Sequence, residues 1–329
     1  MNVFTTEPMH YIMNLLRAAV DALDVHEKLS FVVLNPDCAT ATYAGSIITY
    51  NETHYIYRSY RAWVDLAQLL HCRMLTPTPY DSHMVTLHFQ KLNIDNSFQR
   101  LPVAMSTEKY GVNSAFSKIN KHEEPAFLAA YLHALKSVNI AQRTKVLNLG
   151  INTGDEFALI QNICQSFKQI SFTGIDHSAS AIAAGQARFK EHSNVTLLCH
   201  DITTLHELDL HRFDLMISIG TLQSSGLNFK PLFMSLIQNH LTSGGALILG
   251  FPNCRWSDGE MLYGAKAPNY STSELSLVIK DIYFCKKYLQ QHRFRVTLSG
   301  KEYLFLTATR LNNTAKTPNV GKPIIKKTL

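Results

Sequence analysis

The chain has 329 residues, 46% of them hydrophobic and 10% aromatic, with a formal net charge of +6. That is enough apolar material for one large domain and a smaller one, and no run of about 18 apolar residues suggests a membrane span. Six scattered cysteines (Cys38, Cys72, Cys164, Cys199, Cys254 and Cys285) form no C-x-x-C pair, and the histidines do not cluster at ligand spacing. A reduced, cytoplasmic protein without a metal site is expected, because the first residues also lack the basic start and apolar stretch of a signal peptide.

The opening stretch, to about residue 105, reads as an α+β module. Residues 11–20 carry apolar side chains at helical spacing. Phe31-Val32-Val33-Leu34 reads as a strand, and Gly45 to Tyr57 as a hairpin around Asn51-Glu52. A helix from Ala62 to Leu70 stops before Pro77 and Pro79, and Met84 to Phe89 alternates as a strand. Arginines and aromatics mix in Tyr57-Arg58-Ser59-Tyr60-Arg61-Ala62-Trp63, as they do on nucleic-acid surfaces, although an ordinary amphipathic helix start has the same pattern. Residues 106–140 read as a connector ending in a helix from Pro125 to Val138, with Tyr110 and Phe116 able to fold over a ligand. From 141 to 311 strands alternate with helices, the texture of a parallel sheet. Residues 312–329 form a basic tail for which disorder is expected; with Lys286, Lys287, Arg293 and Arg295 before it, the C-terminal region suits a polyanion as well as a solvated surface.

The most informative segment is Lys145-Val146-Leu147-Asn148-Leu149-Gly150-Ile151-Asn152-Thr153-Gly154-Asp155-Glu156. An apolar strand enters a glycine-bearing turn from which a helix departs, so a ligand can approach the backbone closely. A second strand, Ile170 to Asp176, ends in a carboxylate about 20 residues past the turn, where an acid binds ribose hydroxyls. A third, Val195 to Asp201, ends in another acid; a fourth runs from Phe213 to Gly220, and a fifth from Ala246 to Gly250 after a turn at Ser243-Gly244-Gly245. A dinucleotide fingerprint needs glycine where Asn152 and Asp155 stand, and two carboxylates in the first helical turn would repel a pyrophosphate. They suit a ligand without phosphate that carries an ammonium and a sulfonium.

These residues resemble the class I S-adenosylmethionine-dependent methyltransferases over 145–310. The family's acid-x-Gly-x-Gly-x-Gly motif aligns with Asn148, Gly150, Asn152 and Gly154, so its leading acid and middle glycine are both asparagine here. The resemblance implies an α/β fold, a Rossmann-like seven-stranded sheet, mostly parallel with an antiparallel last strand from the hairpin 294–308. It also implies S-adenosylmethionine as cofactor, held by Asn148, Gly150, Asn152, Thr153, Gly154, Asp176, His177, Asp201, Ile202, Ser218, Gly220 and Tyr110. Asp214 is expected to be structural.

The acceptor is less legible. The Asn/Asp-Pro-Pro-Tyr segment of exocyclic-amine methyltransferases is replaced by Ser218-Ile219-Gly220-Thr221. Cys254 stands roughly where a carbon-5 pyrimidine methyltransferase keeps its nucleophile, but the companion Pro-Cys is missing, so an inert thiol is expected. An insertion at 253–270 concentrates Asn253, Arg255, Glu260, Tyr263 and Lys266 past the fifth strand, where a substrate loop belongs. No catalytic residue is assigned. A small-molecule acceptor is preferred to tRNA or rRNA, no membrane partner is expected, and a methyltransferase-like binding module without catalysis is the rival reading.

Overall fold

The computed structural model describes residues 1–39, 42–97, 106–224, 226–265 and 274–311. The expected basic tail and Lys266 lie outside the described residues. The chain divides into two units, one built from 1–106 with 253–275, the other from 107–252 with the residues from 276 onward.

In the first unit, β1 (Asn2–Val3) pairs parallel to β2 (Lys28–Leu34), and helix α1 (Met9–Asp21) connects them. The hairpin β3 (Ile47–Tyr50) and β4 (Thr53–Ile56) turns at Asn51 and Glu52. Both turn residues have positive φ, 48° and 64°, the geometry that matches the twist of a two-residue hairpin. Helix α2 (Tyr60–Leu69) is capped by the Ser59 hydroxyl, and short β5 (Cys72–Met74) and β6 (Thr78–Pro79) flank β7 (Met84–Lys91), which also pairs antiparallel to β2. The apolar stripe of α1 (Ile12, Leu16, Val20) and that of α2 (Trp63, Leu66) close over Phe31 and Phe89. Those two rings meet edge to face at 5.0 Å.

The second unit begins with three short 3-10 turns (Ser106–Tyr110, Ala115–Lys118, Lys121–Glu123) and α3 (Pro125–Ser137). Then come β8 (Lys145–Leu149), α4 (Asp155–Ile163), β9 (Ser171–Asp176), α5 (Ala179–Arg188), β10 (Val195–Cys199), β11 (Phe213–Ile219), α6 (Phe229–Ser235) and β12 (Leu241–Pro252). The Ser243-Gly244-Gly245 stretch expected as a turn lies inside β12, accommodated by a register shift against β11 between Phe213 and Leu215. After Pro252 the chain enters the first unit as a hairpin, β13 (Cys254–Ser257) and β14 (Glu260–Tyr263), then returns through α7 (Ser276–Gln291), β15 (Phe294–Gly300) and β16 (Tyr303–Arg310). The sheet order is β10-β9-β8-β11-β12-β16-β15, with β16 antiparallel to both neighbours and the first five strands parallel. This is the α/β, Rossmann-like arrangement expected. Strand order reverses between β8 and β11, and a ligand belongs at the C-terminal ends of the strands beside that switch point.

Asp214, near the start of β11, accepts hydrogen bonds from the backbone N–H of Thr144 (2.8 Å) and Lys145 (3.0 Å) and from the Thr144 hydroxyl (2.8 Å). It pins the entry of β8 at the end of the sheet away from the switch point. Asp214→Ala should lower stability by about 2 kcal/mol while leaving ligand affinity at the opposite edge unchanged. An unaltered urea midpoint would contradict this.

Candidate functional site

The turn between β8 and α4 owes its shape to three residues with positive φ: Gly150 (77°), Asn152 (49°) and Gly154 (91°). Asparagine is among the few side-chain-bearing residues that tolerate this region, which explains how Asn152 can occupy the middle glycine position. Its side chain is used at both ends. Oδ1 accepts from Thr153 N–H at 2.9 Å, and Nδ2 donates to the Tyr110 carbonyl at 2.6 Å. Asp176, at the tip of β9 and only 7% exposed, accepts from Asn152 N–H (2.9 Å) and Ser178 N–H (3.0 Å). Each carboxylate oxygen keeps a second lone pair, so the group can still receive two hydroxyls.

The other cofactor candidates fall around this loop. Asn148 is buried at the end of β8, and its Nδ2 has no hydrogen-bond partner in the structure, a donor left over at the base of the turn. Ser218 is buried and donates to the Leu149 carbonyl at 3.3 Å, tying β11 to β8 beside the turn. Gly220 leaves β11 with φ 75°. Asp201 caps the 3-10 turn Ile202–Glu207 by accepting from Thr203 N–H, and that hydrogen bond leads the effects that lower its pKa. Ile202 is buried behind it, and His177 is exposed after Asp176.

The connector is tied to this loop. Tyr110 packs edge to face on Phe116 at 5.0 Å and lies 6.4 Å from the His177 ring. Burial and the neighbouring Asp176 charge raise the Tyr110 pKa. Glu108, which sequence reasoning did not single out, reaches the N-terminus of α5. There it accepts from the Ser178 hydroxyl (3.2 Å), Ser180 N–H (3.3 Å) and the Ser180 hydroxyl. The Ser180 hydroxyl bond leads the effects that lower its carboxyl pKa.

The two carboxylates in the first turn of α4 each have a cation. Asp155 pairs with Arg188 at 2.6 Å, and buried Glu156 lies 3.7 Å from Lys121 Nζ. The repulsion toward a phosphate ligand inferred from sequence is therefore partly screened, a long-range pairing that residue spacing does not reveal. Next to them His122 stacks on Tyr131, 6.1 Å apart and 6° from parallel. Burial lowers its pKa below 6.5. The folded protein holds this ring neutral to a lower pH than the unfolded chain does. Stability is therefore complete above about pH 6.5 and falls as pH drops through the depressed folded value. His122→Gln should flatten that acid-side decline; equal slopes in urea titrations of variant and wild type below pH 6.5 would contradict it.

The acceptor candidates Asn253, Arg255, Glu260 and Tyr263 sit on or beside the β13–β14 hairpin, which belongs to the first unit rather than to the sheet. At its turn, Asp258 accepts from Asn93 N–H (3.0 Å) and Asn96 Nδ2 (2.9 Å) and pairs with His26 at 2.7 Å. Arg255 donates to the carbonyls of Tyr263 and Gly264, and Glu260 lies 3.8 Å from Arg73. These charges take part in the hairpin and its seat within the first unit. Asn253 is buried and Tyr263 is exposed. Cys254 is buried in β13, as befits an inert thiol.

Residues 140–296 match the family model described as a methyltransferase domain. Among solved structures, the precorrin-6y C5,15-methyltransferase of Geobacter metallireducens GS-15 is similar at 13% identity and TM-score 0.38, covering 55% of this chain and 87% of that one. The N-methyltransferase NodS of Bradyrhizobium japonicum WM9, solved with S-adenosyl-L-homocysteine, gives 17%, TM-score 0.39 and coverages of 56% and 87%. Magnesium protoporphyrin IX methyltransferase of Synechocystis PCC 6803, solved with bound S-adenosylmethionine, gives 17%, 0.38, 58% and 80%. No curated protein matches the chain.

Proposed function

We propose that this chain, whose residues 140–296 match a methyltransferase-domain model, is a class I methyltransferase that uses S-adenosylmethionine to methylate a small-molecule acceptor. The observation that carries this reading is the loop–acid pair: positive φ at Gly150, Asn152 and Gly154, with Asp176 joined to that loop through Asn152 N–H. Asn148, with its spare donor, lies at the base of the loop and fits a ligand bearing a carboxylate or hydroxyl acceptor. Asp176 would receive the ribose hydroxyls, and His177, Asp201 and Ile202 would flank the base. Tyr110 would cover it from the connector, and Ser218 and Gly220 would line the reacting end. The cofactor brings a methyl group already activated by its sulfonium, so the protein's task is largely to orient the acceptor in line and exclude water. Substrate choice is assigned to the first unit, which includes the Asn253–Tyr263 stretch.

RNA is the second reading, favoured by the basic residues of α7, β15 and the turn between them (Lys286, Lys287, Arg293 and Arg295). Incubation of the protein with methyl-labelled S-adenosylmethionine and separated metabolite and RNA fractions tests the choice. Label entering the metabolite fraction is expected. Label only in RNA would overturn the small-molecule reading, and a cofactor that binds without any transfer would favour the binding-module alternative.

A further inference from the structure

Lys121 occupies an unusual place. Its ammonium lies 5.7 Å from the Phe127 ring centroid and 5.9 Å from that of Tyr303, and 3.7 Å from Glu156 Oε1. The side chains of Lys121 and Glu156 are only 17% and 6% exposed. Two ring faces and a carboxylate converging on one cation form an aromatic cage, the arrangement that recognises ammonium groups. The cage stands at the functional edge of the sheet. Tyr303 opens β16, opposite Pro252 at the end of β12, and a Cβ placed on Gly220 would lie 4.0 Å from Tyr303 Cε1. Glu156 is in the first turn of α4, directly after the ligand loop, where the positive end of the helix dipole favours a buried carboxylate. Lys121 itself reaches the cage from a 3-10 turn of only three residues, Lys121–Glu123, so its long side chain, rather than the sheet, is what a ligand has to displace.

We propose that the Phe127–Tyr303–Glu156 cage is an alkylammonium-binding site, and that Lys121 fills it as an internal stand-in when no ligand is present. A cationic ligand would enter by displacing Lys121 from Glu156. Two sources of such a group are compatible with this place: an aliphatic amine acceptor, or the α-ammonium of the cofactor's amino-acid end. The second rests on the proposed cofactor; the cage itself does not.

The experiment measures the rate at which Lys121 is acetylated by acetic anhydride, read by mass spectrometry on the wild-type full chain. Exposed Lys190 in the same protein serves as the internal reference, its side chain being 73% exposed. Methylammonium chloride, compared with potassium chloride at equal ionic strength, should raise the ratio of Lys121 to Lys190 labelling at least about threefold, the ratio cancelling the acetic anhydride that methylamine itself consumes. In Lys121→Ala the emptied cage should accept the probe directly, so methylammonium raises the melting temperature where potassium does not, and Glu156→Gln in that background removes the gain. Should Lys121→Ala not fold, the wild-type labelling decides alone. An equal ratio in the two salts would overturn the proposal. S-adenosylhomocysteine and 5′-methylthioadenosine separate the sources. If only the former, which carries the amino-acid end, frees Lys121, the cage serves the cofactor. If both bind and Lys121 stays protected until methylammonium is added, the cage is left for an amine acceptor. If neither nucleoside binds but methylammonium still acts, the cage stands and the cofactor assignment fails.

Discussion

Asp176→Ala should weaken S-adenosylhomocysteine binding by more than tenfold and lower stability by about 2 kcal/mol at once. The two effects have separate origins. Affinity falls because a carboxylate that can accept both ribose hydroxyls is gone, each such charged hydrogen bond contributing roughly 1.5–3 kcal/mol in a favourable site. Stability falls because Asn152 N–H and Ser178 N–H both lose their acceptor. Asp176→Asn keeps one acceptor oxygen and adds a misplaced donor, so it should show a smaller stability loss with most of the affinity loss. Calorimetric titration and urea denaturation on the two variants separate the components. Wild-type affinity in folded Asp176→Ala would move the ribose contact to another residue.

Gly150→Val should be the most damaging single substitution in the loop, and through the fold as much as through the ligand. Sequence alone suggests that a side chain here only blocks a ligand. The structure adds two costs. Gly150 has φ 77°, where an L-residue is strained by about 1–2 kcal/mol. A Cβ there would overlap the Thr221 hydroxyl and come within 2.7 Å of Thr221 Cβ. Overpacking of that kind typically costs about 1–3 kcal/mol more. Gly150→Ala should therefore melt well below wild type, and adding Thr221→Gly should restore part of the loss by removing the overlap while leaving the φ strain. An apo melting temperature for Gly150→Ala equal to wild type would show that the loop relaxes, leaving ligand exclusion as the glycine's sole role.

The seven-stranded sheet was readable because its strands are apolar runs that end in glycine or a carboxylate: Leu149 before Gly150, Ile175 before Asp176, Ile219 before Gly220. Parallel strands buried on both faces carry that signal locally. The hairpin at Asn51-Glu52 was readable for the same reason, two polar residues between β-rich runs. What escaped depended on distant partners. The stretch 253–275 has the texture of a surface insertion, and contacts distant in sequence, such as Asp258 with Asn93, Asn96 and His26, bring it to the first unit. Glu108 is one acid in a connector without periodicity, and its role comes from Ser178 and Ser180. Glu156 offered the best missed signal: a carboxylate beside Phe157 at the start of a helix with a buried face needs a partner, and Lys121 supplies it.

The β8–α4 turn with Asp176 is assigned to S-adenosylmethionine rather than to a dinucleotide. Titration of wild-type protein with S-adenosylhomocysteine and, in parallel, with NADH tests it most directly. Saturable one-to-one binding of S-adenosylhomocysteine, lost in Asp176→Ala, with no heat from NADH is the predicted result. Binding of NADH with none of S-adenosylhomocysteine would contradict it.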